Sequence, residues 1–488
     1  MNPNSLADRD VAIESPRRLS RNCMMDSEKQ ASLIAPLGIK AAPTPALNPR
    51  AQPIRPNGFT VSSKPLKATR PATADSITDT FVALSKKKSK SRSHSYLASM
   101  QRGNFTNKDS GVYAYGTAPL NPVEGNIAYA VEIQFGDIDP FEVIVDTGSS
   151  DTWLAQAGFQ CVNYAGVPFP QEACEFGPLF NGTFGGGEIP DQNFNIGYGD
   201  GEFLTGTLGF ENVTIAGITV EHQEVALVDY AYWFGDGVTS GLVGLAYPLL
   251  TSAYEGTDPA NDTAEGNVEY SPLFTTMVSQ NLVEPTFSLA IERGEAGGYI
   301  AFGGLPPVSF EQDFASTPIQ LLQISDDPTT GLQYAFYLIY PDAFVYQGST
   351  DKKRQAYSSR QNAANASLAT IVDSGTTLAY LPNQVVEDVA ALFNPPAVYL
   401  ENEGGFFVAC NATVPEFGVQ IGGKVLYINP VDLVLQDQVD PDTGFCLTGI
   451  QPGGDEGSIF ILGGVFLQSV VAVFDVGAAE MRFAAHEY

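Results

Sequence analysis

The sequence predicts a mainly β fold built from two related halves, and three observations carry that prediction. The first is compositional: 488 residues with 48 Gly, 33 Pro, 30 Phe and 21 Tyr favour short strands and tight turns over helices. The second is a repeated stretch, in which Val143-Ile144-Val145-Asp146-Thr147-Gly148-Ser149-Ser150 returns as Thr370-Ile371-Val372-Asp373-Ser374-Gly375-Thr376-Thr377. The third is spacing. Leu242-Val243-Gly244-Leu245 follows the first copy and Ile461-Leu462-Gly463 the second, with Gly244 98 residues after Asp146 and Gly463 90 residues after Asp373.

Each copy of the repeat reads as an apolar strand that ends in a tight turn with an Asp at its mouth. Gly lets the chain turn sharply, and the neighbouring hydroxyls can donate to the carboxylate. A single Asp-Thr-Gly triplet is common punctuation between strand and turn. Two with matching flanks predict a duplicated half-site.

Residues 1–103 are polar and Pro-rich and read as disordered, with no convincing signal peptide. Lys86 to Arg92 forms a basic block, which is either a solvated charge run or a removable segment lying over an acidic cleft. Ala128 to Phe135 alternates as a half-buried strand. Asn193 to Gly206 reads as a hairpin with Gly199, Asp200 and Gly201 at its tip. Ser240 to Pro248 is an apolar strand ending in a turn, and Ser271 to Gln280 a short helix. Gly297 to Pro306 reads as a connection suited to a lobe boundary, dividing 104–305 from 306–488. Tyr334 to Tyr340 is an aromatic strand, 351–367 a polar surface insertion, and Asn383 to Phe393 a helix. Ile459 to Phe474 is the longest apolar run, but Gly463, Gly464, Gln468 and Ser469 break it into two core strands. No run is long enough for a membrane span.

The net charge of −30 hides a division. Residues 1–103 carry 17 Lys and Arg against 7 Asp and Glu, and residues 104–488 carry 8 against 48. Such a body repels nucleic acid and anionic membrane at neutral pH, and repels itself less in acid. The five Cys suggest two local disulfides, Cys161 with Cys174 and Cys410 with Cys446, with Cys23 left over; buried free thiols are the alternative. Sequons at Asn104, Asn181, Asn212, Asn261, Asn365 and Asn411 strengthen a secretory reading, with an extracellular or vacuolar destination. The absent signal peptide sits against it.

From about residue 112 onward the ordered motifs resemble the pepsin-like aspartic proteases, of the secreted fungal type. They are Asp146-Thr147-Gly148-Ser149, Trp153, Tyr198-Gly199, Leu242 to Pro248, Asp373-Ser374-Gly375-Thr376 and Ile461-Leu462-Gly463. The resemblance implies a bilobal fold, with two pseudo-twofold-related β-barrel-like lobes and a cleft between them. It implies an acid endopeptidase, made as a zymogen, in which Asp146 and Asp373 activate a water. No cofactor or metal is implied, and the three His, His94, His222 and His486, are scattered. Thr147 and Ser374 should cross-brace the two loops, while Ser149 and Thr376 should bond the outer carboxylate oxygens. Tyr198 should sit on a flap over the substrate, its hydroxyl reaching Trp153. Protein and peptide substrates with large apolar residues at the scissile bond are expected, the enzyme acting as a monomer. Two departures stand out. Ser240 replaces an Asp frequent in relatives, and Asp200 with Glu202 makes the flap acidic, either as a solvated tip or as a feature that admits Lys before the scissile bond. The rival reading is an inactive pepsin-fold binding glycoprotein.

Overall fold

Alternating burial along the longer strands sets the architecture seen in the computed structural model, which describes residues 77–78, 80–89, 126–293, 297–322, 332–348, 353–358, 368–455 and 458–486. In Phe203–Ile215, for example, Leu204, Gly206 and Leu208 face inward while Phe203, Thr205 and Thr207 stay half-exposed. The molecule is mainly β and bilobal.

A ten-stranded sheet is built from the chain between Ser85 and Val268. Within it Phe141–Asp146 runs parallel to Gly241–Gly244, which is antiparallel to Thr152–Cys161. The later half repeats that triple. Thr370–Val372 runs parallel to Phe460–Leu462, which is antiparallel to Ala379–Leu381. Two four-stranded sheets complete the second lobe. A six-stranded antiparallel sheet draws on distant parts of the sequence, in the order Phe81–Ala83, Gly298–Phe302, Thr286–Ile291, Val470–Asp475, Glu480–Ala485 and Ala315–Pro318. Every residue of Thr286–Ile291 and Val470–Asp475 is buried, with Phe287 stacked on Phe474 at 4.5 Å. This sheet therefore has core on both faces.

The structure corrects several expectations. Residues 81–89 are not disordered: Phe81–Ala83 pairs with Gly298–Phe302, and Ser85–Ser89 forms an edge of the ten-stranded sheet against Asn126–Phe135. The short apolar run ending at Leu84, 2% exposed, supplies the burial that the surrounding polar composition hides. The basic block accordingly begins on a sheet edge, where Lys87 pairs with Glu142 at 2.5 Å. Gly297 to Pro306 holds a strand rather than a plain connection. Its glycines mark a turn, since Gly297 and Gly298 have φ of 73° and 100° and a Cβ on Gly297 would lie 2.3 Å from the Leu84 carbonyl. In Tyr334 to Tyr340 only Leu338–Ile339 is strand; the tyrosines pack instead, Tyr334 stacking on Tyr247 and Tyr337 donating to the Leu245 carbonyl. Between the two apolar strands near the end of the chain stands a short helix, Gly464–Leu467. Two helices occur at Leu273–Ser279 and Asn383–Leu392. Of the insertion at 351–367, Gln355–Tyr357 is a strand and most of the rest lies outside the described residues.

Candidate active site

Each Asp ends a buried strand and is followed by a turn that the neighbouring strand pins from behind. Asp146 pairs with Gly244 in the parallel register, and its carbonyl accepts from Leu245 N at 2.8 Å. Asp373 N donates to the Leu462 carbonyl at 3.1 Å. The close approach is why these backing positions are glycine: a Cβ on Gly244 would lie 2.5 Å from the Ser150 carbonyl carbon, and one on Gly463 would lie 2.3 Å from the Thr376 carbonyl oxygen.

The two loops meet face to face. Thr147 N donates to Ser374 Oγ at 3.1 Å and Ser374 N to Thr147 Oγ1 at 3.0 Å. The hydroxyls reach further, Thr147 Oγ1 to the Val372 carbonyl at 2.9 Å and Ser374 Oγ to the Val145 carbonyl at 2.8 Å. All these groups are buried, so each bond satisfies a donor that has no water to fall back on. Gly148 N and Ser149 Oγ donate to Asp146 at 2.7 and 2.5 Å, and Gly375 N and Thr376 Oγ1 to Asp373 at 2.9 and 2.5 Å. A Cβ on Gly148 would fall 2.5 Å from Asp373 Oδ1, and one on Gly375 2.5 Å from Asp146 Oδ1. Each loop thus presents its glycine to the other loop's carboxylate.

Burial raises Asp146 well above the usual carboxylate range, and the facing charge of Asp373 raises it further, against donors at Ser149 and Gly148. Asp373 is also raised by burial, with Thr376, Asp146 and Gly375 holding it down in part. Two carboxyls this close keep one proton between them, and they titrate as a pair.

Gln192–Gly197 and Phe203–Ile215 form a hairpin whose tip carries Tyr198, Gly199 and Asp200. Gly201, at φ 104°, lets the tip close, with Tyr198 N donating to the Glu202 carbonyl at 2.7 Å. Trp153 Nε1 donates to the Tyr198 hydroxyl at 2.9 Å, and both residues are fully buried. The flap carboxylates are not solvated. Asp200 is 9% exposed and accepts from Glu202 N at 3.2 Å, while the carboxylate of Glu202, 0% exposed, accepts from Phe234 N.

Sequence reasoning missed three contributors. Trp233 packs edge-on to Trp153 at 5.2 Å and to Tyr198 at 5.7 Å, and its signal was rarity, as one of two Trp in the chain. Asp151 and Tyr270 lie buried beside the Asp146 loop, hydrogen-bonded at 2.6 Å; nothing in their local sequence announces this. The remaining singled-out residues lie apart from the loops. Ser240, buried, precedes the backing strand. Cys161–Cys174 and Cys410–Cys446 are disulfides. Asn181, Asn212, Asn261 and Asn411 are exposed; Cys23, Asn104 and Asn365 fall outside the described residues. Among the described residues no cluster of His, Cys, Asp and Glu is arranged to hold a metal, and no helix is long and apolar enough to cross a membrane.

A model of the eukaryotic aspartyl protease family matches residues 128–486. A probable aspartic-type endopeptidase of Aspergillus fumigatus is 41% identical over 460 residues, covering 92% of this chain and 97% of its own. Human gastricsin is 26% identical, covering 78% of this chain and 88% of its own. Among solved structures, the aspartic proteinase of Irpex lacteus superposes with a TM-score of 0.52 at 19% identity, covering 74% of this chain and 95% of its own.

Proposed function

The chain belongs to the eukaryotic aspartyl protease family and is an aspartic-type endopeptidase, and from that premise we propose that Asp146 and Asp373 are its catalytic pair. One observation carries the proposal: each loop's glycine abuts the other loop's carboxylate, so the two carboxyls occupy one site. The aspartic-protease dyad is itself the standard example of carboxyls that share a proton. The ionised member takes a proton from a water, which attacks the peptide carbonyl. The protonated member donates to the developing oxyanion and later helps protonate the leaving amine. Thr147 and Ser374 hold the loops in register, Ser149 and Thr376 orient the outer oxygens, and Tyr198 closes over the substrate and excludes water. The division into 104–305 and 306–488 then gives each lobe one Asp. The test is proteolysis of a protein substrate in acid, blocked by pepstatin and abolished by Asp146→Asn. Full activity in that variant would refute the assignment.

Three finer points belong to the same reading. The enzyme is a secretory zymogen acting as a monomer on proteins, destined for the cell exterior or the vacuole, in keeping with its two disulfides. The Lys87–Glu142 pair supports a basic prosegment held to the acidic body by charge. N-terminal sequencing after acid incubation should find cleavage around residues 100–112; an active form retaining residues 1–95 would count against it. Large apolar side chains fill the positions at the scissile bond, and Asp200 admits Lys on one side. A peptide library should then show Lys cleavage that Asp200→Ala loses.

A further inference from the structure

The dyad leaves one buried carboxylate of its own loop unused. Asp151 lies five residues after Asp146 and is 0% exposed. Its Oδ1 accepts from the Tyr270 hydroxyl at 2.6 Å and from Ser252 N at 2.9 Å, while its Oδ2 is buried with no hydrogen-bond partner. Ser252 also belongs to the root of the flap. Its carbonyl accepts from Asn195 N at 3.1 Å, and the next residue, Ala253, pairs with Phe194 of the flap strand. Three residues beyond Asn195 stands Tyr198, which receives the Trp153 bond, and Trp153 is two residues from Asp151. The contacts close a ring from the catalytic loop through Asp151, Ser252, the flap strand, Tyr198 and Trp153 back to the loop.

We propose that Asp151 is a positioning residue for the reaction, a peg that joins the catalytic loop to the root of the flap in its protonated form and loosens the closed flap when it ionises. This rests on the dyad and flap reading above. Burial is the physical reason: the carboxylate carries charge out of water that the donors at Tyr270 and Ser252 offset only in part, whereas the neutral acid avoids that cost. Burial pushes Asp151 up to about 6, with Tyr270 and Ser252 offsetting only part of it. Glu224, half-buried on Ile218–Tyr232, is pushed up to about 7 by burial and then by the charge of Asp151. The other titratable groups facing Asp151 are Tyr198 and Tyr270, both held well above 10 by burial and therefore neutral here. Both carboxyls lie above their unfolded values, so the folded state keeps protons that the unfolded chain releases. The stabilisation is complete in acid and is lost as pH rises through about 6 and then about 7.

The chain carries its own reporter, because its only two tryptophans, Trp153 and Trp233, both sit in this ring or against it. The experiment follows tryptophan emission of the full chain from pH 4 to 8 in an Asp146→Asn background, which silences autolysis. The parent should show a reversible transition centred near pH 6 to 7, and adding Asp151→Asn should remove its first step. Glu224→Gln, the variant to use if the first does not fold, should keep the lower step and lose the upper one. No transition in the parent, or the same transition in both variants, would overturn the proposal. In the active chain, Asp151→Asn should move the neutral-side limit of kcat/KM up by roughly half a pH unit or more. A folded variant with an unchanged limit would also overturn it. Failure of the dyad assignment reads out separately, as activity surviving Asp146→Asn.

Discussion

At Asp146 the carboxylate accepts from a glycine N–H two residues on and a hydroxyl three residues on, and Asp373 is served the same way at the same offsets. The following strands pair alike, Trp153 opposite Leu242 and Tyr380 opposite Ile461. Five residues after each Asp the likeness stops. The first loop buries Asp151 there and the second buries Leu378, both at 0% exposure. Trp153 donates to Tyr198 at the hairpin tip, whereas Tyr380, at the matching position, lies in a five-stranded sheet between Phe460–Leu462 and Ile450–Pro452. Identity is kept where the carboxylates must be matched in solvation and geometry. It is relaxed one layer behind, where the first loop alone packs against the Tyr198 hairpin.

The largest test of that comparison is chemical. Asp146→Asn and Asp373→Asn should each lower kcat/KM by at least about 10²–10⁴-fold with the fold retained, measured on a protein substrate in acid. A large loss on one side only would break the equivalence. Next come the cross-bracing hydroxyls. Thr147→Val and Ser374→Ala each strand a buried N–H of the other loop and should cost about 1–3 kcal/mol in denaturant unfolding, by similar amounts. A several-fold disparity would mean that one loop dominates the brace. Stability should also fall from acid towards neutral pH, because burial raises both dyad carboxyls and the folded state therefore holds a proton that the unfolded chain has released. A melting temperature that rises over that range would contradict it. The smallest effect distinguishes the two tyrosines. Tyr198→Phe leaves the Trp153 N–H without its acceptor and should lower kcat/KM about tenfold, on the order of the 1–3 kcal/mol of an unmet buried donor, while Tyr380→Phe should change it little.

The duplicated halves were legible in the sequence because the turn glycines are forced by the other loop's carboxylate and the backing glycines by close backbone approach, which leaves few residue choices. The flap hairpin was legible for a similar reason, its tip needing Gly201 at positive φ. Phe81–Ala83 and Ser85–Ser89 were not, because a three- to five-residue strand that borrows its partners from residues 126 and 298 onward has no periodicity of its own to display. Asp151 was illegible for a deeper reason. Its burial is set by Tyr270 and Ser252, more than a hundred positions away, and a carboxylate beside a turn reads as solvated until those partners are seen. The solvated-tip reading of the acidic flap fails for the same reason: Asp200 and Glu202 are buried, and each accepts from a backbone N–H.

The central claim is that two halves of the chain supply one shared acid–base group rather than two independent ones. The most direct measurement compares Asp146→Asn, Asp373→Asn and the double variant in one acid proteolysis assay on folded protein. A shared group predicts that either single substitution is about as damaging as both together, because neither carboxyl can perform the exchange alone. Losses that multiply, with each single variant retaining its own portion of activity, would contradict it.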